Sequence, residues 1–166
     1  MRPEYRLAEA IGLRESGELE QALPLLLELR KEFPDDARIA VQAAWTHDSL
    51  GLEEAAAEHY EAAIRGDLSD DELRGLYLGL GSTYRTLGRD ADSERIFAEG
   101  IERFPDFKPL RVVNAMLDYN RGRPREAVRA LIEVLLEASD DPTIQRYRRS
   151  LTGYAEDLDR SWLDER

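Results

Sequence analysis

Residues 76–97 read LYLGLGSTYRTLGRDADSERIF. Gly79-Leu80-Gly81 within this stretch has two readings, the start of a phosphate-cradling loop or a close-packed point inside a helix. No strand-like run precedes the pair, and the third glycine of a dinucleotide fingerprint is missing. The helix reading gains support further along the chain, because the phrase recurs. ESGELEQAL at Gly17, SLGLEEAAA at Gly51, TLGRDADSE at Gly88 and NRGRPREAV at Gly122 are spaced by 34, 37 and 34 residues. A period near 34 without alternating β-branched runs points to stacked helical hairpins.

The glycines also set a register. Seven places before each stands a small residue, namely Ala10, Ala44, Gly81 and Ala115, and five places after come Ala22, Ala56, Ser93 and Ala127. Nine places after, the residue is large: Leu26, Tyr60, Phe97 and Leu131. Small against large in fixed register is what an antiparallel helix pair needs for close packing. The anchor glycines fall where one helix stops and the next begins, a place that favours left-handed backbone.

This register predicts helices over 3–16, 18–33, 37–50, 53–66, 70–87, 90–104, 107–121 and 124–138. Ser69-Asp70-Asp71-Glu72 reads as a capping box, Asp36, Asp106 and Asp141 as further caps, and Pro142 as a first-turn residue. Pro34 and Pro105 close the second helices of their hairpins. Pro24 lies within the second predicted helix, where it would kink it. A ninth helix over 142–163 is expected from the spacing of Ile144, Tyr147, Leu151, Tyr154, Leu158 and Trp162, read as one buried stripe. It would cap the 124–138 helix, whose apolar residues occupy most of its circumference.

With 166 residues, 42% hydrophobic and 35% charged, the chain can bury a continuous core. Having no cysteine, it has no disulfide, thiolate metal site or cysteine nucleophile. The formal net charge of -12 repels phosphate backbones and anionic lipid, so neither nucleic acid nor membrane is an expected partner. Residues 1–83 carry 18 acids and 8 bases, against 17 and 15 in residues 84–166, so the acidity is concentrated in the first half. The amino terminus has no apolar run of signal-peptide length, and a cytoplasmic protein is expected.

These residues resemble the tetratricopeptide repeat, a pattern of aromatic, Leu-Gly, Tyr, Gly, Ala, aromatic and Pro over 34 residues. The third copy is nearest, with Tyr77, Leu80-Gly81, Tyr84, Gly88, Phe97 and Pro105, and Ser93 in place of alanine. The fourth departs, with Arg111, Asn114 and Asp118 where aromatic, leucine and tyrosine are usual. The stretch 78–138 is most similar to small bacterial proteins of tetratricopeptide repeat group five, through LGSTYRTLGR and AMLDYNRGRPREAV. The resemblance implies an all-α superhelix in a single domain over 1–166. Its four hairpins would be residues 3–34, 37–68, 70–105 and 107–139, followed by the capping helix. It also implies a stand-alone, dimeric protein without enzymatic role or cofactor.

Hairpins of this family curve so that the first helices line a concave groove. The implied groove residues are Leu7, Ile11 and Arg14, then Val41, Trp45 and Asp48, then Leu78, Ser82 and Arg85, then Val112, Met116 and Tyr119. Such a groove would hold a partner peptide or helix, with Trp45 beside arginine as its anchor. The alternative is that the groove or cap helix is used for self-association into a homodimer. The two-lysine clamp by which some members hold chaperone tails is not expected, because the chain has only Lys31 and Lys108. Arg121, Arg123, Arg125 and Arg129 form a candidate basic patch, to be weighed against an ordinary solvated helix face. No catalytic constellation or metal motif can be assembled. His47 and His59 are the only histidines, and His47 falls at a helix-packing position, so an internally satisfied ring is expected there.

Overall fold

The computed structural model describes residues 2–160, and all regular structure among them is helical. Two compact units, Met1–Gly100 and Ile101–Arg166, divide the chain. The first contains α1 (Pro3–Glu15), α2 (Leu19–Glu32), α3 (Ala37–Ser49), α4 (Glu53–Ala63), α5 (Asp70–Thr86) and most of α6 (Asp90–Arg103). The second contains α7 (Lys108–Asn120), α8 (Pro124–Ala138), α9 (Pro142–Gln145) and α10 (Arg148–Glu156). Among the described residues no helix is long and apolar enough to cross a membrane.

The four anchor glycines behave alike. Gly17, Gly51, Gly88 and Gly122 have φ of 85, 72, 71 and 74°. The amide just after each donates to the carbonyl five residues back: Glu18 to Leu13, Leu52 to His47, Arg89 to Tyr84 and Arg123 to Asp118, at 2.8–2.9 Å. This is the Schellman closure, in which a left-handed residue lets the chain satisfy the last carbonyls of a helix. One turn chemistry therefore closes the first helix of every hairpin.

Helix starts follow side-chain chemistry at three of the four predicted caps. Asp36 accepts from the Arg38 and Ile39 amides at 2.9 and 3.1 Å. Ser69 accepts from Glu72 N at 3.3 Å while Glu72 accepts from Ser69 N at 2.9 Å, completing the capping box. Asp141 accepts from Thr143 N at 2.8 Å. Asp106 is not a cap: α7 starts one residue later than that would require, with Phe107 at its N-cap and no side-chain bond there.

In the first unit α1 pairs with α2 and α3 with α4, and each hairpin packs on the next through α2 with α3 and α4 with α5. The predicted small sites are all buried, with Ala10, Ala44, Ala22 and Ala56 fully inaccessible and Ser93 likewise. A Cβ at Gly81 would overlap the Phe97 ring, and one at Gly79 would overlap the end of Tyr60. The first contact lies within the α5–α6 hairpin and the second joins successive hairpins. Tyr84 also bridges them, donating to Glu61 at 2.7 Å.

In the second unit α7 pairs with α8, and α10 lies against α8. Here two expectations are corrected. Leu131, the counterpart of the fully buried Leu26, Tyr60 and Phe97, is 41% exposed. Tyr60 is covered by Gly79 of the following hairpin, whereas α10 packs on α8 without burying Leu131, and Asp159 beyond the end of α10 pairs with Arg125. The ninth helix is likewise not one helix over 142–163 but two short ones, α9 and α10, broken at Arg146–Tyr147. At the break the Gln145 amide and the Arg148 guanidinium both donate to the Leu136 carbonyl, satisfying an acceptor that the end of α8 leaves open. The expected buried stripe is largely on the surface, since Tyr147, Tyr154 and Leu158 are exposed and Ala155 is the buried contact. Trp162 lies outside the described residues.

His47 is buried, its Nδ1 2.8 Å from the Ala43 carbonyl, and its ring stands 4.9 Å from that of His59. Burial first, then the proximity of His47 and Arg30, pushes the His59 pKa from 6.5 down to about 4. A histidine with a depressed folded pKa binds its proton more readily in the unfolded chain. Its stabilising effect is whole above pH 6.5 and is lost as pH falls toward 4. Denaturant unfolding across that window should show a decline in stability that His59→Gln reduces.

A second prediction concerns Gly81. Alanine in a helix interior ordinarily gains about 1 kcal/mol over glycine, but overpacking a filled core costs on the order of 1–3 kcal/mol. Phe97 is fully buried and has nowhere to retreat, so Gly81→Ala should lower the denaturation midpoint.

Candidate protein-binding surface

Within the first unit, α1, α3 and α5 are brought side by side, and the expected groove residues on them divide into two sets. Val41 is fully buried and Leu7 is 8% exposed, so both belong to the packed core. Leu7 packs in a cluster with Ala10, Leu26, Leu29, Ile39 and Ala43. Ile11, Arg14, Trp45, Asp48, Leu78, Ser82 and Arg85 are half-buried, the exposure of a surface with one packed side and one open side. Leu7 and Ile11 also edge a hollow of about 310 Å³ lined by Phe33, Arg38 and Ile39.

The centre of this surface is a stack. The Arg14 guanidinium carbon lies 5.4 Å from the Trp45 ring centroid, within cation–π range. Arg14 Nε donates to Gln42 Oε1 at 2.9 Å, and a terminal nitrogen reaches Glu15 at 3.2 Å. The far edge of the indole rests where a Gly75 Cβ would be, 2.8 Å from Cζ2. Trp45 is thus held by α1 on one side and α5 on the other. Gln42 and Gly75 are supports that sequence reasoning missed. Gly75 could have been found from its four-residue step to Gly79, which puts two gaps on one face of α5 opposite two aromatics.

Asp48 lies one turn beyond Trp45. Tyr60 donates to it at 3.1 Å and the Thr83 hydroxyl is 3.4 Å away. Burial raises the Asp48 pKa, the two hydroxyls pull it back in part, and Glu53 raises it further. Asp48 is engaged in joining α3, α4 and α5, so the open face carries arginine and apolar groups more than free carboxylate.

In the second unit Val112 is half-buried, whereas Met116 and Tyr119 are 44% and 68% exposed on α7. The basic patch is largely neutralised. Arg123 pairs with Asp118 at 2.6 Å, Arg129 with Glu133 at 2.9 Å, and Arg125 with Asp159. Among the described residues no group of three or more His, Cys, Asp or Glu is placed to hold a metal ion.

The tetratrico peptide repeat family model matches residues 37–158. The chain belongs to the tetratricopeptide repeat family. Its fold is similar to that of pilF of Pseudomonas aeruginosa, with a TM-score of 0.68 at 15% identity over 93% of this chain and 69% of that one. A thermophilic tetratricopeptide protein of Thermus thermophilus aligns at 21% identity over 90% of this chain and 98% of its own, with a TM-score of 0.47. No curated protein matches.

The Arg14–Trp45 stack is directly measurable. The chain has two tryptophans, so a Trp162→Phe background leaves Trp45 as the sole indole emitter. In that background Arg14→Ala should uncover one ring face and increase acrylamide quenching. Unchanged quenching would mean that the guanidinium does not shield the ring.

Proposed function

We propose that this chain is a non-enzymatic, cytoplasmic interaction scaffold that holds a peptide or helix of a partner protein against the α1, α3 and α5 face. The observation that carries the reading is the half-buried Trp45, with Arg14 over its ring and Gly75 at its edge. A rigid indole beside a guanidinium supplies the large contact area and directional charge typical of a binding anchor. Ile11 and Leu78 extend the apolar surface to either side, so a bound segment gains affinity from apolar contact and orientation from Arg14. Helix-in-groove recognition works this way, with apolar anchors one helical turn apart. Neither a cofactor nor a nucleic acid is part of this reading, consistent with the net charge of -12.

The test compares proteins retained from a bacterial lysate by the wild-type chain and by Trp45→Ala, followed by titration of the captured segment. Trp45→Ala should weaken binding by about 2 kcal/mol or more, roughly thirtyfold in Kd. Val41, being core, would lose stability on truncation and is not a suitable probe. A captured segment that binds Trp45→Ala and Arg14→Ala as tightly as the wild type would sink the proposal.

A further inference from the structure

We infer that the open face of α8 and α10 is a homodimer interface, occupied by the same face of a second copy of this chain. In the first unit the residues in register with Leu131 are Leu26, Tyr60 and Phe97, all 0% exposed, and those in register with Val128 are Leu23, Ala57 and Glu94, of which Ala57 is buried and the other two half-buried; Tyr60 is covered by the next hairpin. In the second unit Val128, Leu131 and Leu135 are 42%, 41% and 44% exposed. Among the described residues the stripe is thus left two-fifths open where its first-unit counterpart at Leu131's place is closed.

Two further apolar residues continue the face. Helices α8 and α10 run antiparallel, with Arg148 at Leu136 and Asp159 at Arg125. On α8 the exposed Val128, Leu131 and Leu135 each directly precede a residue of the adjoining stripe, Arg129, Ile132 and Leu136, in which Leu136 is 4% exposed with its carbonyl bound by Arg148 and Arg129 feels the charge of Glu156 on α10. On α10 Tyr154 directly precedes the buried Ala155, and Tyr147 precedes Arg148. One residue is a rotation of about 100°, and in an antiparallel pair equal offsets bring both sets to the same side. The result is three aliphatic side chains beside two tyrosines, the latter 58% and 57% exposed.

Its size and charge fit a second copy. The five side chains leave on the order of 500 Å² open per copy, and a two-fold meeting buries about twice that, reaching the ~1,000 Å² expected of a specific interface. A two-fold axis sets the tyrosines of each copy against the aliphatic stripe of the other. Arg125 and Arg129 at the rim already pair with Asp159 and Glu133, and the Arg146 guanidinium lies 5.9 Å from the Tyr147 ring centroid, a cation that a two-fold contact would have to leave at the solvent edge. Residues 124–160 carry 8 acids and 6 bases, whereas residues 1–83 carry 18 and 8. Copies meeting through this end face the weaker repulsion.

The full chain is examined by sedimentation equilibrium in parallel with Leu131→Glu, Tyr154→Glu and Trp45→Ala, with circular dichroism melts to confirm folding. The expected result is a wild-type dimer that persists at about 1 M salt, where charge pairing is screened. Leu131→Glu and Tyr154→Glu should each weaken it at least tenfold while remaining folded, since both residues are already exposed, and Trp45→Ala should leave it intact. The proposal is overturned by a wild-type monomer, by a dimer indifferent to both glutamates, by one that dissociates in salt, or by one lost with Trp45→Ala. It also fails if the wild type is monomeric and Trp162→Asp makes it dimerise, because the last residues of the chain would then be the cover. Loss of lysate binding by Trp45→Ala is read separately, so the two proposals can fail independently.

Discussion

Close approach of helices at residues with little or no side chain is the constraint on which the first unit rests. Tyr60 and Phe97 are among the largest fully buried side chains, and each needs a glycine opposite it, Gly79 and Gly81 respectively. Interiors pack at the density of organic crystals, so an aromatic ring cannot share its site with an added methyl. The same rule holds Trp45 against Gly75 at the surface. Three glycines on α5, at 75, 79 and 81, thus accept three aromatics from α3, α4 and α6. Glycine lowers helix propensity, and α5 offsets that with 17 residues and a complete capping box at its start.

The repeat was legible because its signals are local. A glycine with positive φ, a small residue seven places before it and another five after can be read from letters alone, and all four turns have the same hydrogen bonds. The helix boundaries follow from caps and prolines, with errors of one to three residues at most ends. The C-terminal region was misread for a physical reason. Three- and four-residue spacing reports that a segment has an apolar side, but not whether anything lies opposite it. Tyr147 and Tyr154 have the right spacing and are on the surface. The break at Arg146–Tyr147 follows from the carbonyls that end α8, which the sequence of 142–163 alone does not reveal.

The candidate surface was legible in part. Trp45, Arg14 and Leu78 could be placed on first-helix faces from register, but a register cannot say how far each helix is rolled. Val41 and Leu7, at the starts of their stripes, are buried while Trp45 and Ile11 one turn on are half-buried. The pairings that hold the surface, Arg14 with Gln42 and Asp48 with Tyr60 and Thr83, join residues 28, 12 and 35 positions apart. No local pattern links such positions.

The pairing of each helix with its immediate neighbours in the first unit also shapes how the chain can assemble. A hairpin such as α1–α2 or α3–α4 closes over a short loop, so little chain entropy is lost before its contacts form. Each completed hairpin then presents a ready surface to the next, in the manner of a growing one-dimensional crystal. An emerging chain can therefore acquire structure from its amino terminus onward during synthesis, before its last helices exist.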